Sequence, residues 1–450
     1  MGVNAAFPSF MVAVVLFGTG AKAGGDLPPN YAQTTLTGDW DGYRSWLVSQ
    51  GATFTITQTI DVLGNVSGGV RTGAAYDGVF ELQGDFDMAR LVGWTGGEIH
   101  ISGYAIQGRG LSERDLSNLL TVTSAEADSG VRLGEFYLSQ SLLNDKVTLK
   151  LGQILADQSF AISNTAGLFV NSTFGWPGLF GTDLPGGGPA YPFAVPGVQI
   201  IVNPGDAWTL QAAILNGSPT GSTSNGNANG LGFPIGNGIL AIAEAAYAYT
   251  PPADGNGLRG TYKLGAWYNS EQFDSLSTAS NGVSLASPVS SGHPRSLSGD
   301  FALYAIADQE LWREHGNSDN GLNGFARAAI APRQDRNIVN WYLDMGLTYK
   351  GPLPGRDSDT IGVGFAYANI GGAVSELAKA TNAFMDRSQP IPSSEAVVEV
   401  TYQAAITQAL SIQPFFQYVI HPGGNATDPK KPGSSIPNAA VLGVRTSATF

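Results

Sequence analysis

Side chains in residues 341–350 alternate between apolar and polar along the chain. The apolar parity comprises Trp341, Leu343, Met345, Leu347 and Tyr349, and the polar parity includes Tyr342, Asp344, Thr348 and Lys350. Successive side chains of a β-strand point to opposite faces, so this pattern predicts a strand with one apolar and one polar face. Because Asp344 is a carboxylate among apolar neighbours, we expect its face to be in contact with water.

The same alternation recurs towards the C-terminus. Residues 398–406 place Val398, Val400, Tyr402, Ala404 and Ile406 on one face, opposite Glu399, Thr401, Gln403 and Ala405. In residues 410–420 the apolar face comprises Leu410, Ile412, Phe416, Tyr418 and Ile420, opposite Ser411, Gln413 and Gln417. Pro414 lies within the second segment, where proline is tolerated at a bulge or bend but would be costly in a regular ladder, because it lacks a ladder donor.

Alternation alone fits either a transmembrane β-barrel or a β-sandwich, since each has one apolar face per strand. The last strand favours the barrel. Ala440, Leu442, Val444, Ala448 and Phe450 share one parity, so the strand continues to an aromatic residue instead of ending in a frayed tail. We therefore predict an all-β, antiparallel transmembrane barrel, whose C-terminal strand ending at Phe450 is the segment that the barrel-assembly machinery engages.

The remaining chain is compatible with such a barrel. No run reaches the roughly 18 consecutive apolar residues of a spanning helix, so a membrane-spanning chain of this sequence must cross as a barrel. Breaker-rich segments of unequal length, which we expect to be loops, occupy residues 181–196, 216–237, 275–294 and 422–437. An even strand number near 16 would leave roughly 27 residues for each strand and its loop.

Residues 1–23 resemble a secretory signal peptide. An apolar stretch runs from Phe10 to Phe17, and Ala21-Lys22-Ala23 fits a small-residue cleavage site, although residues 1–9 carry no Lys or Arg. We expect export to the bacterial outer membrane, with residues 24–50 as a short segment at the pore or periplasmic rim and residues 51–450 as the barrel. The first clear strand is predicted at residues 52–59.

Composition argues against several other functions. The absence of cysteine removes disulfides, thiolate metal ligands and thiol nucleophiles, and the net charge of −13 argues against nucleic-acid binding. The four histidines, His100, His293, His315 and His421, lack the spacing of a helical metal pair, so we expect neither a metal nor another cofactor. His100 shares a parity with Glu98, Ser102 and Tyr104, which predicts that it faces the lumen.

Two stretches concentrate the residue types that recognise sugars, namely aromatic rings for C–H faces and planar polar groups for hydroxyl pairs. Residues 104–114 contain Tyr104, Gln107, Arg109, Glu113 and Arg114. Residues 153–176 contain Gln153, Asp157, Gln158, Asn171 and Trp176. Composition alone favours a simpler interpretation of these stretches, as a polar lumen wall plus a membrane-girdle tryptophan.

Ordered motifs cover the chain from Leu36 to Phe450. In the first half they are LTGDWDGYR at 36–44, QGRGLS at 107–112, LGQ and ADQ within 151–158, and NSTFGWP at 171–177. In the second half they are YKLGAWY at 262–268, YAIADQ at 304–309, FAR at 325–327, QP at 413–414, QYVIHPGG at 417–424 and NAAVLGVRT at 438–446. Together they resemble the motifs of carbohydrate-selective outer-membrane porins of the OprB type.

This resemblance implies a barrel of 16 strands, a pore constricted by inward loops, and passive uptake of glucose and related sugars. Carried over position by position, it makes Arg109, Asp157, Gln158 and Trp176 the candidates for the constriction. Two departures are Asp41, where the family usually has glycine, and Asn269-Ser270-Glu271, which replaces a more usual His-Thr-Gly. The second departure bears on which sugars pass through the pore more than it bears on the fold.

The resulting hypothesis is a channel for small sugars that lies in outer-membrane lipid, as a monomer or homotrimer, and is not an enzyme. Two alternatives remain from other classes. One is a barrel-type outer-membrane hydrolase, although the chain has no G-x-S-x-G motif. The other is a soluble exported sugar-binding module.

Overall fold

The structure is a computed structural model that describes residues 30–220, 226–251, 257–314 and 319–450. The predicted signal peptide, residues 1–23, and His315 lie outside the described residues. The first eight strands are β1 (Ala52–Ser67), β2 (Gly73–Asp87), β3 (Gly97–Gly108), β4 (Gly130–Leu142), β5 (Val147–Ile154), β6 (Val195–Gly205), β7 (Trp208–Asn216) and β8 (Ile239–Tyr249). The other eight are β9 (Gly260–Ala279), β10 (Pro294–Arg313), β11 (Gly321–Ile330), β12 (Val339–Lys350), β13 (Thr360–Ile370), β14 (Ser394–Thr407), β15 (Leu410–Ile420) and β16 (Ala439–Thr449).

The strands form one closed barrel in which each strand pairs antiparallel with its neighbours in sequence. Closure is made by β1 and β16, whose register includes Asp61 opposite Arg445. A closed sheet has no unpaired edge, so its backbone groups are satisfied without water. The predicted 16-stranded antiparallel barrel is therefore confirmed.

Burial follows the predicted alternation. In β12 the residues Trp341, Met345 and Leu347 are exposed on the outside, whereas Tyr342 and Asp344 are buried on the inside. In β14 and β15 the inward residues Glu399, Gln403, Ser411, Gln413 and Gln417 are likewise buried. The predicted water contact of Asp344 is wrong, because this carboxylate is fully buried against an arginine of the neighbouring strand.

The two rims of the barrel carry connections of different length. One rim, called here the long-loop rim, carries residues 68–72, 109–129, 155–194, 217–220, 226–238, 280–293, 331–338, 371–393 and 421–438. The opposite short-turn rim carries residues 88–96, 143–146, 206–207, 250–251, 257–259, 314, 319–320, 351–359 and 408–409, together with the start of β1 and the end of β16. The predicted loops all lie at the long-loop rim, although β9 continues to Ala279, beyond the predicted loop start at 275. Porins have this asymmetry, with the longer loops outside the cell.

Short helices occur in the connections and before β1. They are α1 (Tyr31–Thr34), α2 (Tyr43–Gln50), α3 (Met88–Val92), α4 (Ser172–Gly175), α5 (Gly178–Asp183), α6 (Gly372–Met385) and α7 (Pro422–Asn425). A π-helical turn at Ser112–Leu116 and 3₁₀ turns at Ala156–Gln158, Ala166–Leu168 and Pro185–Gly187 complete the regular elements. Within the described ranges, none of the helices has the length and apolar character needed to cross a membrane.

Residues 30–50 lie against the end of the barrel seam. The Arg44 guanidinium donates to the carbonyl of Phe450 at 2.6 Å and lies 4.4 Å from the Trp40 ring, while the Leu36 amide donates to Thr449. Asp41 has a φ of +54°, in the left-handed region that favours glycine. Aspartate is one of the few other residues that tolerate this conformation, which explains the departure from the family at this position.

The strand ladders show no bulge at Pro414. The ladder between β15 and β16 runs without a register change through Pro414, which is opposite Val444. On the other side, pairing with β14 ends at Thr401 opposite Phe415 and resumes in the same register at Ala404 opposite Ile412. Two missing ladder pairs accommodate the proline without shifting the strands.

Candidate functional site

Two connections from the long-loop rim fold into the barrel, and we call them the first inner loop (residues 109–129) and the second inner loop (residues 155–194). Their apolar side chains are among the most buried of the protein, with Leu111, Leu120, Phe160, Phe174 and Phe180 fully excluded from solvent. Inward residues of the strands supply the other side of these contacts. The interior on this side is a packed core.

Aromatic rings join the second inner loop to the wall. The ring of Phe174 lies 6.1 Å from that of Phe325 on β11, in an edge-to-face arrangement. Phe180 makes similar contacts with Trp267 on β9 at 6.0 Å and with Tyr304 on β10 at 5.5 Å. Such pairs add to the stabilisation from apolar burial, so this loop is fixed on the inner surface of β9–β11.

A buried ion pair also binds the second inner loop. Arg327 on β11 makes two hydrogen bonds to Asp344 on β12, and both side chains are fully buried. The remaining guanidinium N–H groups donate to the carbonyls of Ala161 and Thr173, each at 2.7 Å. Arg327 therefore connects the wall to two separate turns of this loop.

Four carboxylates on the inner wall accept hydrogen bonds from the backbone amides of the inner loops. Glu399 accepts from Val170 and Asn171, and Glu395 accepts from Leu119 and Leu120. Glu395 also accepts from Gly423, in the connection between β15 and β16. Glu244 accepts from Ala161, and Asp308 accepts from Thr165. A carboxylate can satisfy several amide donors at once, so these acidic residues act as fixed anchors for irregular backbone inside the barrel.

The barrel seam holds the first inner loop. Arg445 forms a bidentate ion pair with Asp61, at 2.8 Å for each contact, and also donates to the hydroxyls of Thr123 and Ser124. The Thr123 hydroxyl donates in turn to Asp61. The residues that close the barrel are thus the residues that hold this loop in place.

The wall formed by β2–β5 carries a different set of groups. Tyr104 packs edge-to-face on Tyr191 of the second inner loop, with the ring centroids 5.2 Å apart. The Arg132 guanidinium lies 4.1 Å from the Phe193 ring and donates to the Asn227 carbonyl. Asp77 accepts from the Gly110 amide at 2.9 Å. Aromatic faces, a guanidinium and a carboxylate therefore meet here.

His100 lies lower on the same wall and faces inward, as predicted. Its Nδ1 is 2.7 Å from Asp85, and its ring stacks on Tyr137 at 4.9 Å. The Lys150 ammonium group lies over the Tyr137 ring, 4.6 Å from the ring centroid. Among the described residues, no group of three or more histidine or acidic side chains is placed to hold a metal ion.

Arg109 stands at the start of the first inner loop and is exposed. Its guanidinium donates to the Ala74 carbonyl at 3.0 Å, which positions it beside the end of β2. Asp77, three residues further along β2, binds the adjacent Gly110 amide. Arg109 is therefore an accessible cation next to a buried carboxylate.

Asp157 and Gln158 form one turn at the start of the second inner loop and are half-buried. The Asp157 carboxylate accepts from the Tyr191 amide at 2.7 Å. Burial raises the pKa of Asp157 to about 7, although hydrogen bonds from Tyr191 and Gln158 act in the opposite direction. This aspartate consequently changes charge close to neutral pH.

Trp176 is buried, with 8% of its surface exposed. Its indole N–H donates to the Phe160 carbonyl at 3.1 Å, and its ring packs edge-to-face on Phe180. The alternative position in a membrane girdle is wrong, because the residue lies in the interior. Contact between Trp176 and a solute remains a prediction.

Three residues of this wall and its loop were not predicted from the sequence, namely Arg132, Tyr191 and Asp77. Arg132 lies on β4, which has a bulge between Leu133 and Phe136. The bulge changes the parity of inward residues within the strand, so a simple alternation does not identify Arg132 as inward. Tyr191 lies in an irregular loop, where no periodic pattern exists. Asp77 has the inward parity of Glu81 on β2 and could have been found from it.

A cavity of about 400 Å³ opens between the first inner loop and residues 423–426. Most of its lining residues have hydroxyl, amide or carboxylate side chains, namely Ser112, Glu113, Ser117, Asn118, Thr121 and Glu126. Burial raises the pKa of Glu126, which also accepts a hydrogen bond from the Ser112 hydroxyl. These groups can exchange hydrogen bonds with a solute that carries several hydroxyls.

Comparisons with known proteins agree with this architecture. The model of the carbohydrate-selective porin family, OprB family, matches residues 71–450. Porin B of Pseudomonas aeruginosa is 24% identical over 473 aligned positions, which cover 98% of this chain and 96% of that protein. The putative porin QuiX of Acinetobacter baylyi is 24% identical over 86% of this chain and 89% of its own length. The high-pH structure of Pseudomonas putida OprB superimposes with a TM-score of 0.83 at 24% identity, covering 93% of this chain and 99% of that one.

Proposed function

The chain belongs to the carbohydrate-selective porin family, and from this premise we propose how it passes carbohydrates. It is an outer-membrane porin, a channel rather than an enzyme. We propose that glucose and related mono- or oligosaccharides diffuse through its lumen passively, without energy coupling. The hydrolase and soluble-module alternatives are not favoured by the family match.

The observation that carries the proposal is the fixed position of the two inner loops inside the barrel. Arg327, Glu395 and Glu399 are buried and bind backbone groups of these loops. A lumen narrowed by rigid loops presents its polar side chains at constant positions to every passing solute. Preorganised polar groups bind selectively because little ordering is needed when the solute arrives.

Selectivity in this proposal comes from the groups that the inner loops present. Arg109, Asp157 and Gln158 offer planar donors and acceptors for hydroxyl pairs, while aromatic faces such as Trp176 or Tyr191 would contact sugar C–H groups. Binding must be weak, since a channel that holds its solute tightly cannot release it. The cavity beside Ser112 and Glu126 would serve as a first polar contact from the long-loop side.

The biogenesis of the protein forms part of the same proposal. Residues 1–23 would direct export, and the strand ending at Phe450 would be engaged by the barrel-assembly machinery. Residues 30–50 would remain at the periplasmic rim, where Arg44 binds the last residue of the chain. The working form would be a monomer or a homotrimer.

Reconstitution into liposomes tests the function directly. The full chain is purified from outer membranes in detergent, and influx of glucose is compared with that of a neutral amino acid of similar size. We expect faster glucose influx that saturates with concentration. Equal influx of both solutes, without saturation, would contradict carbohydrate selectivity, and hydrolysis of added phospholipid would favour the hydrolase.

A further inference from the structure

A groove of about 630 Å³ lies on the outer surface of the barrel across β3–β6. Leu138, Leu151 and Val198 are paired in one row of the sheet and form its floor. Leu151 and Val198 are 61% and 46% exposed, so they face away from the lumen. The groove extends from Trp94 at the short-turn rim to Phe233 and Ile235 in a connection of the long-loop rim.

The segment that forms the upper side of the groove is unusually apolar for a loop. Leu231, Phe233 and Ile235 are 59%, 40% and 81% exposed. The segment is fixed on the wall, because the Leu133 amide donates to the Asn229 carbonyl at 3.0 Å. Three exposed apolar side chains within five residues would be unfavourable in water, and such patches mark interaction surfaces.

Gln153 adds a polar group to this apolar groove. Gln153 on β5 is paired with Phe136 on β4, so its side chain belongs to the outward-facing set. It is nevertheless fully buried, beneath the connection between β7 and β8. Its amide N–H groups donate to the carbonyls of Gly134 and Gly230 at 2.8 and 3.0 Å. Among the described residues its Oε1 atom has no hydrogen-bond partner, although a buried acceptor normally has one.

We propose that this groove binds the acyl chain of an outer-membrane lipid, and that Gln153 accepts a hydrogen bond from a hydroxyl or amide N–H near that chain. The outward face of a membrane barrel contacts hydrocarbon, so the groove is continuous with the lipid interface. Its volume lies within the roughly 300–1,000 Å³ of small-ligand sites. The proposal rests on the outer-membrane location and is independent of which sugar the lumen admits.

The lining provides both parts of such an amphiphile's site. Leu138, Leu151 and Val198 contact the chain, and Phe233 and Ile235 cover it from the long-loop side. A hydroxyacyl or amide-linked chain carries its donor beside the first methylenes, which matches a single acceptor within an apolar groove. An unsubstituted phospholipid chain would fill the groove and leave Gln153 unpaired.

A matched pair of variants tests the site. Val198 in the groove and Val363 on β13 are outward residues of nearly equal exposure, 46% and 45%. The full-length wild type, V198W and V363W are purified from outer membranes in mild detergent, and retained lipid is counted by native mass spectrometry. We expect V198W to retain at least about tenfold less acyl lipid than the wild type, and V363W to retain as much. Equal retention by both variants would overturn the proposal.

Photocrosslinking of the wild type provides a second test that does not depend on a variant. The protein is reconstituted with a diazirine-labelled phospholipid or with a diazirine-labelled lipid A carrying hydroxyacyl chains. We expect labelling of residues 195–205 and 226–238 to exceed that of residues 360–370 several-fold, and more so with the hydroxyacyl lipid. Uniform labelling, or crosslinks at this face to a second copy of the chain, would refute lipid binding.

Discussion

Asp344 and Arg327 form a bidentate ion pair across β11 and β12, with both side chains fully buried inside the barrel. They are directly opposite in the sheet register, which fixes the guanidinium plane against the carboxylate. The same guanidinium binds the carbonyls of Ala161 and Thr173 in the second inner loop. One ion pair therefore contributes both to the wall and to the constriction.

Replacing Arg327 by alanine is expected to destabilise the folded barrel and to loosen the second inner loop. It leaves Asp344 as an unpaired buried charge, which typically costs about 3–5 kcal/mol. Heat-modifiable gel migration would show a lower unfolding temperature, and single-channel recordings would show a larger conductance.

The control for this variant is R90A. Arg90 pairs with Asp87 near the short-turn rim, where both side chains are partly exposed, so its loss should cost about 1 kcal/mol or less. If R327A were as stable and as conductive as R90A, the buried pair would have no role in holding the loop.

The barrel itself was predictable from the sequence because each strand carries its own alternation of apolar and polar residues. Val398, Val400 and Tyr402 point to lipid while Glu399 and Thr401 point inward, and this period of two is visible without knowledge of any partner. The register is equally regular in β15 and β16. For these elements the pattern of apolar residues was sufficient.

The constriction was predictable only in part, because its contacts join distant positions. Glu399 was correctly placed on the inner face, yet nothing in the sequence indicates that it binds the amides of Val170 and Asn171. The water contact expected of Asp344 failed for the same reason, since its partner is another strand's arginine. An inward polar residue produces the same sequence pattern whether its side chain contacts water or an inner loop.

Replacing Arg109 by alanine is expected to weaken the saturation of glucose influx into liposomes. The side chain is exposed and held by the Ala74 carbonyl, so its loss should leave the barrel intact. A hydrogen bond from a charged group contributes roughly 1.5–3 kcal/mol, which corresponds to about a tenfold or greater rise in half-saturating glucose concentration. R109K retains the charge but lacks the planar guanidinium, so its half-saturating glucose concentration should lie between those of the wild type and R109A. An unchanged half-saturation in R109A would remove this residue from the site.

Replacing Trp176 by phenylalanine separates a packing role from sugar contact. The variant loses the hydrogen bond to the Phe160 carbonyl, which should cost about 0.5–1.5 kcal/mol of stability. Phenylalanine keeps an aromatic ring that can pack edge-to-face on Phe180, as Trp176 does. If Trp176 acts only through packing, glucose half-saturation will not change while the unfolding temperature falls. A rise in half-saturation together with that fall in unfolding temperature would instead indicate direct contact with the sugar.

Titration of Asp157 is expected to make the second inner loop pH-dependent. Burial raises the pKa of its carboxyl from 3.8 to about 7, so the folded state holds a proton that the unfolded chain releases at lower pH. The resulting stabilisation is fully present below about pH 4 and is lost as the pH rises through about 7.

Two measurements should reveal this titration. The unfolding temperature of the wild type should fall from pH 6 to pH 8, and cation selectivity in single-channel recordings should increase over the same interval as Asp157 becomes negative. D157N cannot ionise at this position, so both changes should be reduced in that variant. The wild type and D157N would respond alike if another group governed the constriction, and the assignment of Asp157 would then be wrong.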